Sequence, residues 1–279
     1  MSAEGFSTLP AAQPRGRGAV SAIALNYLLP LLVFLAAIGF WEWRVRYKEI
    51  PPYILPAPSL IGATLVKDWG TLSQSLLVTL TITFEGLLAA VLGGVGLALL
   101  FAQSKWIERS IFPFAVVMQV TPIVAIAPLL LVYLDQGPAV LVCAFVVAFF
   151  PILSNTVLGL ASADHNLVDL FDLYRASRWQ QLWHLRLPAA LPYFLGGLRI
   201  GGGLALIGAI VAEIAAGSAG QGSGLASRIV ESGFRQNIPR MFAALILISL
   251  TGIVIFVFFT FLSWLLLHRW HDSARKREV

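Results

Sequence analysis

The stretch DLFDLYRASRWQQLWHLRLPAALP, residues 169–192, decides how the rest of the chain is interpreted. It is polar and carries Arg175, Arg178, His184 and Arg186, whereas the sequence on both sides of it is strongly apolar. A connection between two neighbouring helices needs only a few residues. The length and charge of this segment therefore indicate a role beyond joining two helices.

The composition of the chain is that of a membrane protein. Of its 279 residues, 58% are hydrophobic and only 12% are charged, and the mean hydropathy is +0.83, whereas soluble domains are about a quarter charged. The bilayer is therefore expected to be the main solvent of a polytopic, all-α protein. The net charge of +5 is explained by Lys and Arg in the loops and does not indicate a nucleic-acid partner. The single cysteine, Cys143, excludes an internal disulfide.

Six apolar runs are each long enough to cross about 30 Å of hydrocarbon at about 1.5 Å per residue. The third run contains Pro113, Pro122 and Pro128 and is predicted to be kinked or locally unwound. Between the first two runs, SLIGATLVKDW predicts a short interfacial helix that is capped by Ser59. The predicted spans are 23–43, 76–102, 111–134, 138–161, 191–216 and 242–267.

The distribution of Lys and Arg predicts the orientation. With the N-terminus inside, the inner segments hold twelve of these residues, Arg199 among them, and the outer segments hold seven. This bias favours two cytoplasmic termini and places residues 169–192 in the cytoplasm. The expected organisation is a flexible cytoplasmic N-terminus at 1–22, a transmembrane domain at 23–270 and a basic cytoplasmic tail at 271–279.

The first half of the cytoplasmic segment has the pattern of an amphipathic helix. Asn166 is a candidate cap for this helix, and Asp169 is expected in its first turn, where negative charge is favoured. The apolar residues recur at i, i+3, i+4 and i+7, which is one face of a helix: Leu167, Leu170, Phe171 and Tyr174.

A second helix is predicted directly after the first. Ser177 and Gln180 match the S-x-x-Q capping box, so the chain is expected to bend near residues 175–177. Pro188 and Pro192 are expected to end this second helix. Two interpretations follow: a helix pair that lies on lipid, or a docking surface for a cytoplasmic partner.

At these residues the chain resembles the membrane subunit, or permease, of bacterial ABC importers with the type I fold. The cytoplasmic loop of that family reads E-A-A, three residues, G, nine residues and I-x-L-P. The segments TPIVAIAPLLLVYL and VAEIAAGSAGQGSGLASRI also resemble the branch that imports taurine, sulfonates, nitrate, bicarbonate or thiamine-precursor pyrimidines, and the resemblance covers about residues 55–267. The positions that correspond to the loop pattern are Asp169, Leu170, Phe171, Arg175, Leu185, Leu187 and Pro188.

Three of these positions carry a different type of residue from the family pattern. Arg175 stands where the family has glycine, and Leu170 and Phe171 stand where it has alanines. The bend must therefore form without glycine, and the docking face is bulkier. With Tyr174, Ala176 and Ser177 at the corner, these residues form the predicted ATPase-coupling loop, which covers about 162–190.

The resemblance implies a transport subunit of the bacterial inner membrane and no enzyme activity in this chain. Its loop would be a coupling helix that docks on an ABC ATPase subunit, and ATP and magnesium would bind to that subunit, with no cofactor in this chain. The sequence contains no G-x-x-x-x-G-K-[ST] phosphate loop. The other implied partners are a periplasmic or lipid-anchored solute-binding protein, a second permease copy, more readily an identical one, and membrane lipid.

Polar residues inside the predicted spans are candidates for the translocation pathway. Ionisable groups at that depth are costly and face a cavity or a partner, so each either lines the pathway or makes structural hydrogen bonds between helices. The pair His268 and His271 has no acidic cluster beside it, so a solvated pair is expected and no metal site. The pathway candidates are Glu85, Gln119, Thr121, Asn155 and Glu213.

Two other classes of function are weighed against the permease. An autonomous secondary transporter or channel would need its own coupling groups, typically several intramembrane carboxylates or an inverted repeat. A membrane enzyme would need a nucleophile, a base or a metal site at one membrane face. The sequence shows two separate intramembrane glutamates and no such catalytic set, which is thin support for either alternative. The importer permease implied by the resemblance is therefore favoured, and the resemblance implies a small polar solute such as a sulfonate, nitrate, bicarbonate or a pyrimidine.

Overall fold

The computed structural model describes residues 18–217 and 222–268, with side chains from residue 28 onward, and all regular elements in these ranges are helical. This confirms the predicted all-α class. The chain divides into two compact units, one that ends at Leu60 and one that begins at Ile61. The α-helices are α1 Gly18–Tyr47, α2 Pro58–Lys67, α3 Trp69–Gln103, α4 Lys105–Val120, α5 Ile123–Tyr133, α6 Gln136–Ala161, α7 His165–Leu173, α8 Arg178–Gln181, α9 Leu187–Ala216, α10 Leu225–Phe234 and α11 Ile238–Leu267.

In the first unit, the glutamate Glu42 near the end of α1 binds the start of α2. Its carboxylate accepts hydrogen bonds from the Ser59 backbone N–H at 3.0 Å, the Ser59 hydroxyl at 2.8 Å and Arg46 Nε at 2.6 Å. The prediction that Ser59 caps α2 is wrong, because α2 begins at Pro58, whose fixed φ suits the first helical position. A carboxylate from α1 therefore satisfies a free N–H of the first turn of α2.

Five helices are individually long and apolar enough to cross a membrane: Leu28–Tyr47 of α1, then α3, α6, the continuous helix Arg178–Ala216, and α11. They contain the predicted first, second, fourth, fifth and sixth runs. The third run is divided between α4 and α5, which form a pair bent by 97°. This confirms the prediction that the third run is kinked or locally unwound; the geometry of the pair is that of a broken span or a re-entrant loop.

Only one of the three prolines of this run breaks it. Pro113 and Pro128 lie inside α4 and α5, whereas Thr121 and Pro122 have extended backbone angles between the two helices. A proline disfavours helical angles in the residue before it and has no N–H to donate. The last turn of α4 closes on the Val117 carbonyl, which accepts from both the backbone N–H of Thr121 at 3.1 Å and its hydroxyl at 2.6 Å.

The core of the second unit forms where α6 packs against α3 and α9. At the contacts the backbones are close: a Cβ added to Gly86 would lie 2.7 Å from Cβ of Ala144, and one added to Gly208 would lie 2.6 Å from the carbonyl oxygen of Cys143. Small residues allow this approach, and van der Waals packing then holds the helices together in lipid. Other glycines of these helices face open space: Gly96, Gly196 and Gly203.

Arg199 corrects one detail of the predicted orientation. It was counted among the inner loop residues, but it lies within α9, about 18 Å along the helix from Leu187. Its guanidinium lies 5.6 Å from the centre of the Phe256 ring on α11, a cation–π contact. Without Arg199 the excess of inner positive charge is smaller but keeps its sign.

Candidate functional site

The first helix of the loop, α7, is largely uncovered: against the part of the chain that the structure describes, none of its residues is buried. Its cap is Asp164, whose side chain accepts a hydrogen bond from the Asn166 N–H at 2.8 Å. The predicted cap at Asn166 is therefore wrong, and Asp169 lies in the second turn, not the first. Asp164 is the better cap because its carboxylate also interacts favourably with the helix dipole.

The corner after α7 is a Schellman motif with an arginine at the left-handed position. The Ala176 N–H donates to the Phe171 carbonyl and the Arg175 N–H donates to the Asp172 carbonyl, both at 2.9 Å. Arg175 has φ of 51°, where a non-glycine residue costs roughly 1–2 kcal/mol. The bend predicted near residues 175–177 is present, and it has the backbone conformation that favours glycine.

The second helix begins at the predicted capping box. Gln180 Oε1 accepts from the Ser177 N–H at 2.7 Å, and Ser177 Oγ accepts from the Gln180 N–H at 3.3 Å. The helix does not end at Pro188, because α8 continues through a π-helical turn, Leu182–Arg186, into α9. In this wide turn the Leu187 N–H reaches back five residues to the Leu182 carbonyl.

The prolines that were expected to end this helix occupy tolerated positions. Pro188 lies in the first turn of α9, and Pro192 lies further inside the same helix. We attribute the π-helical turn to Pro188, which cannot donate the usual helical hydrogen bond and whose ring needs space in the preceding turn. The prediction of a break at these prolines is wrong, and the loop is continuous with a membrane span.

The loop has an anchored part and a free part. Leu182 and Leu185 are 2% and 8% exposed and join the buried residues of the bundle, and Gln181 donates from its side chain to Asp172, which bridges α8 and α7. Of the predicted coupling residues, Leu185 is therefore part of the anchor. Leu187 is partly buried, and Asp169, Ser177 and Pro188 are exposed.

The free part of the loop contains a groove of about 590 Å³. Its walls are apolar, aromatic and cationic, and Leu170 and Tyr174 at its edge are 45% and 77% exposed. Large exposed apolar and aromatic side chains beside an arginine are typical of a protein interface. We call this surface the loop groove; it is lined by Leu170, Phe171, Tyr174, Arg175, Ala176, Gln180 and His184.

The other end of α9 contains a buried polar site that we call the outer latch: Thr79, Glu213, Leu225 and Ala226. Glu213 is 1% exposed. Its carboxylate accepts from the Thr79 hydroxyl at 2.8 Å and from the Ala226 N–H at 2.9 Å. Thr79 in turn accepts from the Leu225 N–H at 2.9 Å. The latch therefore joins α3, α9 and the first turn of α10.

A glycine leaves room for the latch. A Cβ added to Gly224 would overlap the Glu213 carboxylate, so a larger residue would displace that group. The sequence left two roles open for Glu213, a structural one and one in the pathway. Its hydrogen bonds between helices show the structural role. Its place in the pathway stays a prediction.

The rest of α10 is held by a cluster of charges. Arg228 donates to Ser75 at 2.9 Å and to Glu231 at 2.8 Å, and Arg235 lies 3.0 Å from the same carboxylate. The hydrogen bond from Arg228 lowers the pKa of Glu231, with help from the charges of Arg228, Arg235 and Arg240 and against the effect of burial. Glu231 therefore stays ionised, and its ion pairs with Arg228 and Arg235 link neighbouring turns of α10.

The α3 side of these contacts was not among the features predicted from the sequence. Ser75, Thr79 and Thr83 recur every fourth residue, and all three are buried. Small polar residues at this spacing on an apolar helix form one stripe. That pattern is visible in the sequence and indicates a helix face that packs against polar groups.

Glu85 has the opposite environment to Glu213. It lies near the middle of α3, is exposed, and forms no hydrogen bond or ion pair with any residue that the structure describes. Gln74 and Thr81 are exposed on the same face of the helix, opposite the buried stripe. An exposed carboxylate at membrane depth requires water or a partner.

The other pathway candidates are separate from these two. Asn155 is half-buried and donates to the Pro151 carbonyl at 2.8 Å, Thr121 bonds within its own turn, and Gln119 is exposed. Among the described residues, no hydrogen bond or ion pair joins any two of the five candidates. Their common role in a pathway stays a prediction.

One residue of the predicted histidine pair, His268, lies within the described residues. His268 stacks on Trp264 with 4.6 Å between ring centres, as expected for an interfacial residue, and His271 lies outside the described residues. Over residues 18–217 and 222–268 there is no group of three or more His, Cys, Asp or Glu side chains placed to hold a metal ion.

Comparisons with known proteins agree with these features. Residues 90–268 match the family described as binding-protein-dependent transport system inner membrane component. The chain is 34% identical to the riboflavin transport system permease protein of Chloroflexus aurantiacus, over 88% of this chain and 90% of that protein. It is 34% identical to the formylaminopyrimidine transport permease protein of Halalkalibacterium halodurans, over 81% and 90%, and 30% identical to the taurine transport system permease protein of Escherichia coli, over 65% and 69%.

Proposed function

The chain belongs to the family of binding-protein-dependent transport system inner membrane components, and we propose that its loop at 162–190 couples ATP hydrolysis on a partner subunit to movement of the membrane helices. It is the multi-pass permease component of an ABC importer and has the type I permease fold. The ATPase of such an importer is a separate subunit, and a binding protein supplies the solute.

One observation carries the coupling role: α7 is amphipathic, yet none of its residues is buried by the described part of the chain. Leu170, Leu173 and Tyr174 are 45%, 79% and 77% exposed, next to the loop groove. Clustered apolar groups of this size mark an interaction surface for a protein or a membrane, and the arginine and polar side chains of the adjoining groove favour a protein. The proposed occupant of this surface is the ATPase subunit, which would hold ATP and magnesium.

The loop is connected to a membrane helix in a way that can transmit movement. The helix Arg178–Ala216 is continuous from the corner through the membrane, and Leu182 and Leu185 anchor its first turns in the bundle. A displacement of α7 therefore reaches α9 through the Schellman corner and through the Gln181–Asp172 bridge. We infer that closure of the ATPase subunits moves α9 in this way.

The proposed assembly contains two copies of this chain, with both termini in the cytoplasm and membrane lipid around it. Each copy supplies one coupling loop to one ATPase subunit. Since a symmetry axis along the membrane normal keeps equivalent residues at equal depth, the exposed Glu85 of each copy would reach the central path at the same level.

We propose that these glutamates face the solute. A carboxylate repels an oxyanion and accepts hydrogen bonds from amino and ring N–H groups. Two of the similar permeases are named for nitrogen heterocycles, riboflavin and formylaminopyrimidine. A heterocycle with N–H donors fits Glu85 better than nitrate or a sulfonate does. The proposed substrate is therefore a small nitrogenous heterocycle.

The deciding experiment is purification of the tagged full chain in mild detergent, followed by mass spectrometry and by uptake in vesicles. We expect an ATPase subunit to co-purify and uptake to require ATP. Riboflavin, formylaminopyrimidine, taurine and nitrate are the probe solutes. A chain that purifies alone and transports without ATP would contradict the proposal and support an autonomous transporter.

Glu85 is tested in the same vesicles. Glu85→Gln and Glu85→Ala are expected to lower uptake of the heterocycle at least about tenfold, as for loss of a charge-assisted hydrogen bond, while the ATPase subunit still co-purifies. Leu92→Ala, an exposed residue on the same face of α3, is the control and should retain uptake. Full uptake in both Glu85 variants would remove this residue from the pathway.

A further inference from the structure

A second cavity lies beside the loop and is separate from the loop groove in its chemistry. It has a volume of about 620 Å³ and forms where the turn between α3 and α4 faces α8 and the π-helical turn. Its walls are more polar than those of the loop groove, and cationic side chains come from three segments of the chain. We call it the basic pocket; Ser104, Lys105, Trp106, Arg178 and Arg186 line it.

No ion pair with a described residue neutralises the positive charge in this pocket. Lys105, Arg178 and Arg186 form no ion pair with any residue that the structure describes. Asp172 also lines the pocket, but its carboxylate accepts the hydrogen bond from the Gln181 side chain. Three cations and one carboxylate leave this concavity with a net positive charge, which favours an anionic ligand.

The basic pocket adjoins an apolar crevice. Lys105 and Arg186 line both spaces, and the crevice of about 170 Å³ has apolar walls from α3 and α6. Glu108 is the acidic residue at its edge and makes no ion pair within the described residues. A ligand that fits both spaces has an anionic head and an apolar tail. The apolar wall is formed by Ala98, Phe101, Val157 and Leu160.

We propose that the basic pocket binds the phosphate group of one anionic phospholipid, with an acyl chain in the adjoining crevice. Guanidinium groups suit phosphate because they donate two parallel hydrogen bonds to it. Trp106 is 79% exposed at the edge of the pocket, as expected for an aromatic residue at the level of the lipid headgroups. Basic pockets between helices on the cytoplasmic side of a membrane bind anionic lipid headgroups in this way.

The position of the lipid gives it a role in coupling. Asp172, Ala176 and Gln181 line the basic pocket, and they belong to the corner and to the bridge that join α7 to α8. A bound headgroup would therefore contact the corner between α7 and α8 from the side of the basic pocket and stabilise it. The cytoplasmic location of the pocket rests on the proposed function; the binding of lipid does not.

The test uses the full chain purified in detergent and native mass spectrometry with added phosphatidylglycerol or phosphatidylcholine. We expect selective binding of phosphatidylglycerol, and we expect Arg186→Gln and Lys105→Gln each to weaken it at least about fivefold, the effect of one basic residue at a membrane surface. Lys105 is exposed, so its variant is expected to fold. Arg109→Gln removes the same charge from an exposed residue of α4 outside both cavities and should change binding less than twofold.

Four results would overturn the proposal. Equal binding of the two lipids, or equal weakening by Arg109→Gln, would leave only general surface attraction. Competition by inorganic phosphate at millimolar concentration would assign the pocket to a free anion. Unchanged lipid binding combined with loss of the ATPase subunit in Lys105→Gln would make the pocket a partner contact. The co-purification experiment tests the proposed function separately, because it does not depend on which lipid is added.

Discussion

The helices α10 and α7 lie at opposite ends of α9 and have similar lengths of ten and nine residues, but they differ in how far the described chain buries them. The α10 helix buries Leu225, Ala226, Ser227 and Ser232, whereas α7 buries no residue. Both are amphipathic, so both need a surface to cover their apolar side. For α10 that surface belongs to the same chain. For α7 we infer that it belongs to a partner protein.

The first turns of the two helices show the same contrast. At α10 the free N–H groups of Leu225 and Ala226 are bound by Thr79 and Glu213, from helices distant in sequence. At α7 the cap is Asp164, the residue next to the helix. A helix capped from afar is part of the bundle, while a helix capped locally can move as a unit at its corner.

The largest expected effect concerns the outer latch. Glu213→Ala leaves the buried Thr79 hydroxyl and the Ala226 N–H without their acceptor, which costs about 1–3 kcal/mol for each unsatisfied group. We expect α10 to detach and the thermal stability of the detergent-purified chain to fall clearly. Glu85→Ala removes the same side chain from an exposed position and is the matched control. A similar loss of stability in both variants would refute the latch.

The next effect separates docking from folding. Phe171→Asp places a charge in the loop groove and is expected to lower co-purification of the ATPase subunit and ATP-dependent uptake at least about tenfold, as for an interface anchor. Its thermal stability should stay close to that of the unchanged chain. Leu225→Asp, at a fully buried position of α10, should instead destabilise the chain. If Phe171→Asp retains both the ATPase subunit and uptake, α7 is not the docking helix.

A smaller effect is expected at the corner. Arg175→Gly removes the cost of a left-handed non-glycine residue, about 1 kcal/mol, and should slow hydrogen exchange of the α7 amides by about fivefold. Arg175→Lys keeps both the charge and the strain and should leave exchange unchanged. Faster exchange in Arg175→Gly would mean that the arginine side chain, not the backbone, holds the corner.

The smallest expected effect depends on pH. The lowered pKa of Glu231 means that its stabilising contribution is present above the unfolded pKa of about 4.3 and is lost as the pH falls through the lower pKa of the folded state. Thermal unfolding of α10 between pH 6 and pH 3 should show this loss. Glu231→Gln should remove it, and a pH profile that is the same in both proteins would contradict the role of the cluster.

Several local features of the fold were predictable because they depend on neighbouring residues. The apolar runs indicated the spans, since a membrane accepts only helices with about 20 apolar residues or closed barrels. Pro122 indicated the break in the third span, and Ser177 with Gln180 indicated the start of α8. The family resemblance supplied the prediction that the loop couples to an ATPase subunit. These predictions needed no knowledge of which helices touch.

Other local predictions failed because two neighbours compete. Asn166 and Asp164 can both cap α7, and the carboxylate is the one used. Pro188 can end a helix or begin one, and here the π-helical turn before it lets the helix continue into α9. In both cases the rule was physically sound, but the choice depended on where the rest of the chain placed the backbone.

The amino-acid sequence alone therefore determined the membrane class, the spans, the broken third span and the position of the loop, because hydrophobicity and proline act over a few residues. Only the tertiary structure decided that Glu213 is buried in a latch while Glu85 is exposed, since the latch joins residues 134 and 146 positions apart. It also decided that α10 is covered and α7 is not. Burial depends on which helices pack together, and that packing is a property of the whole bundle.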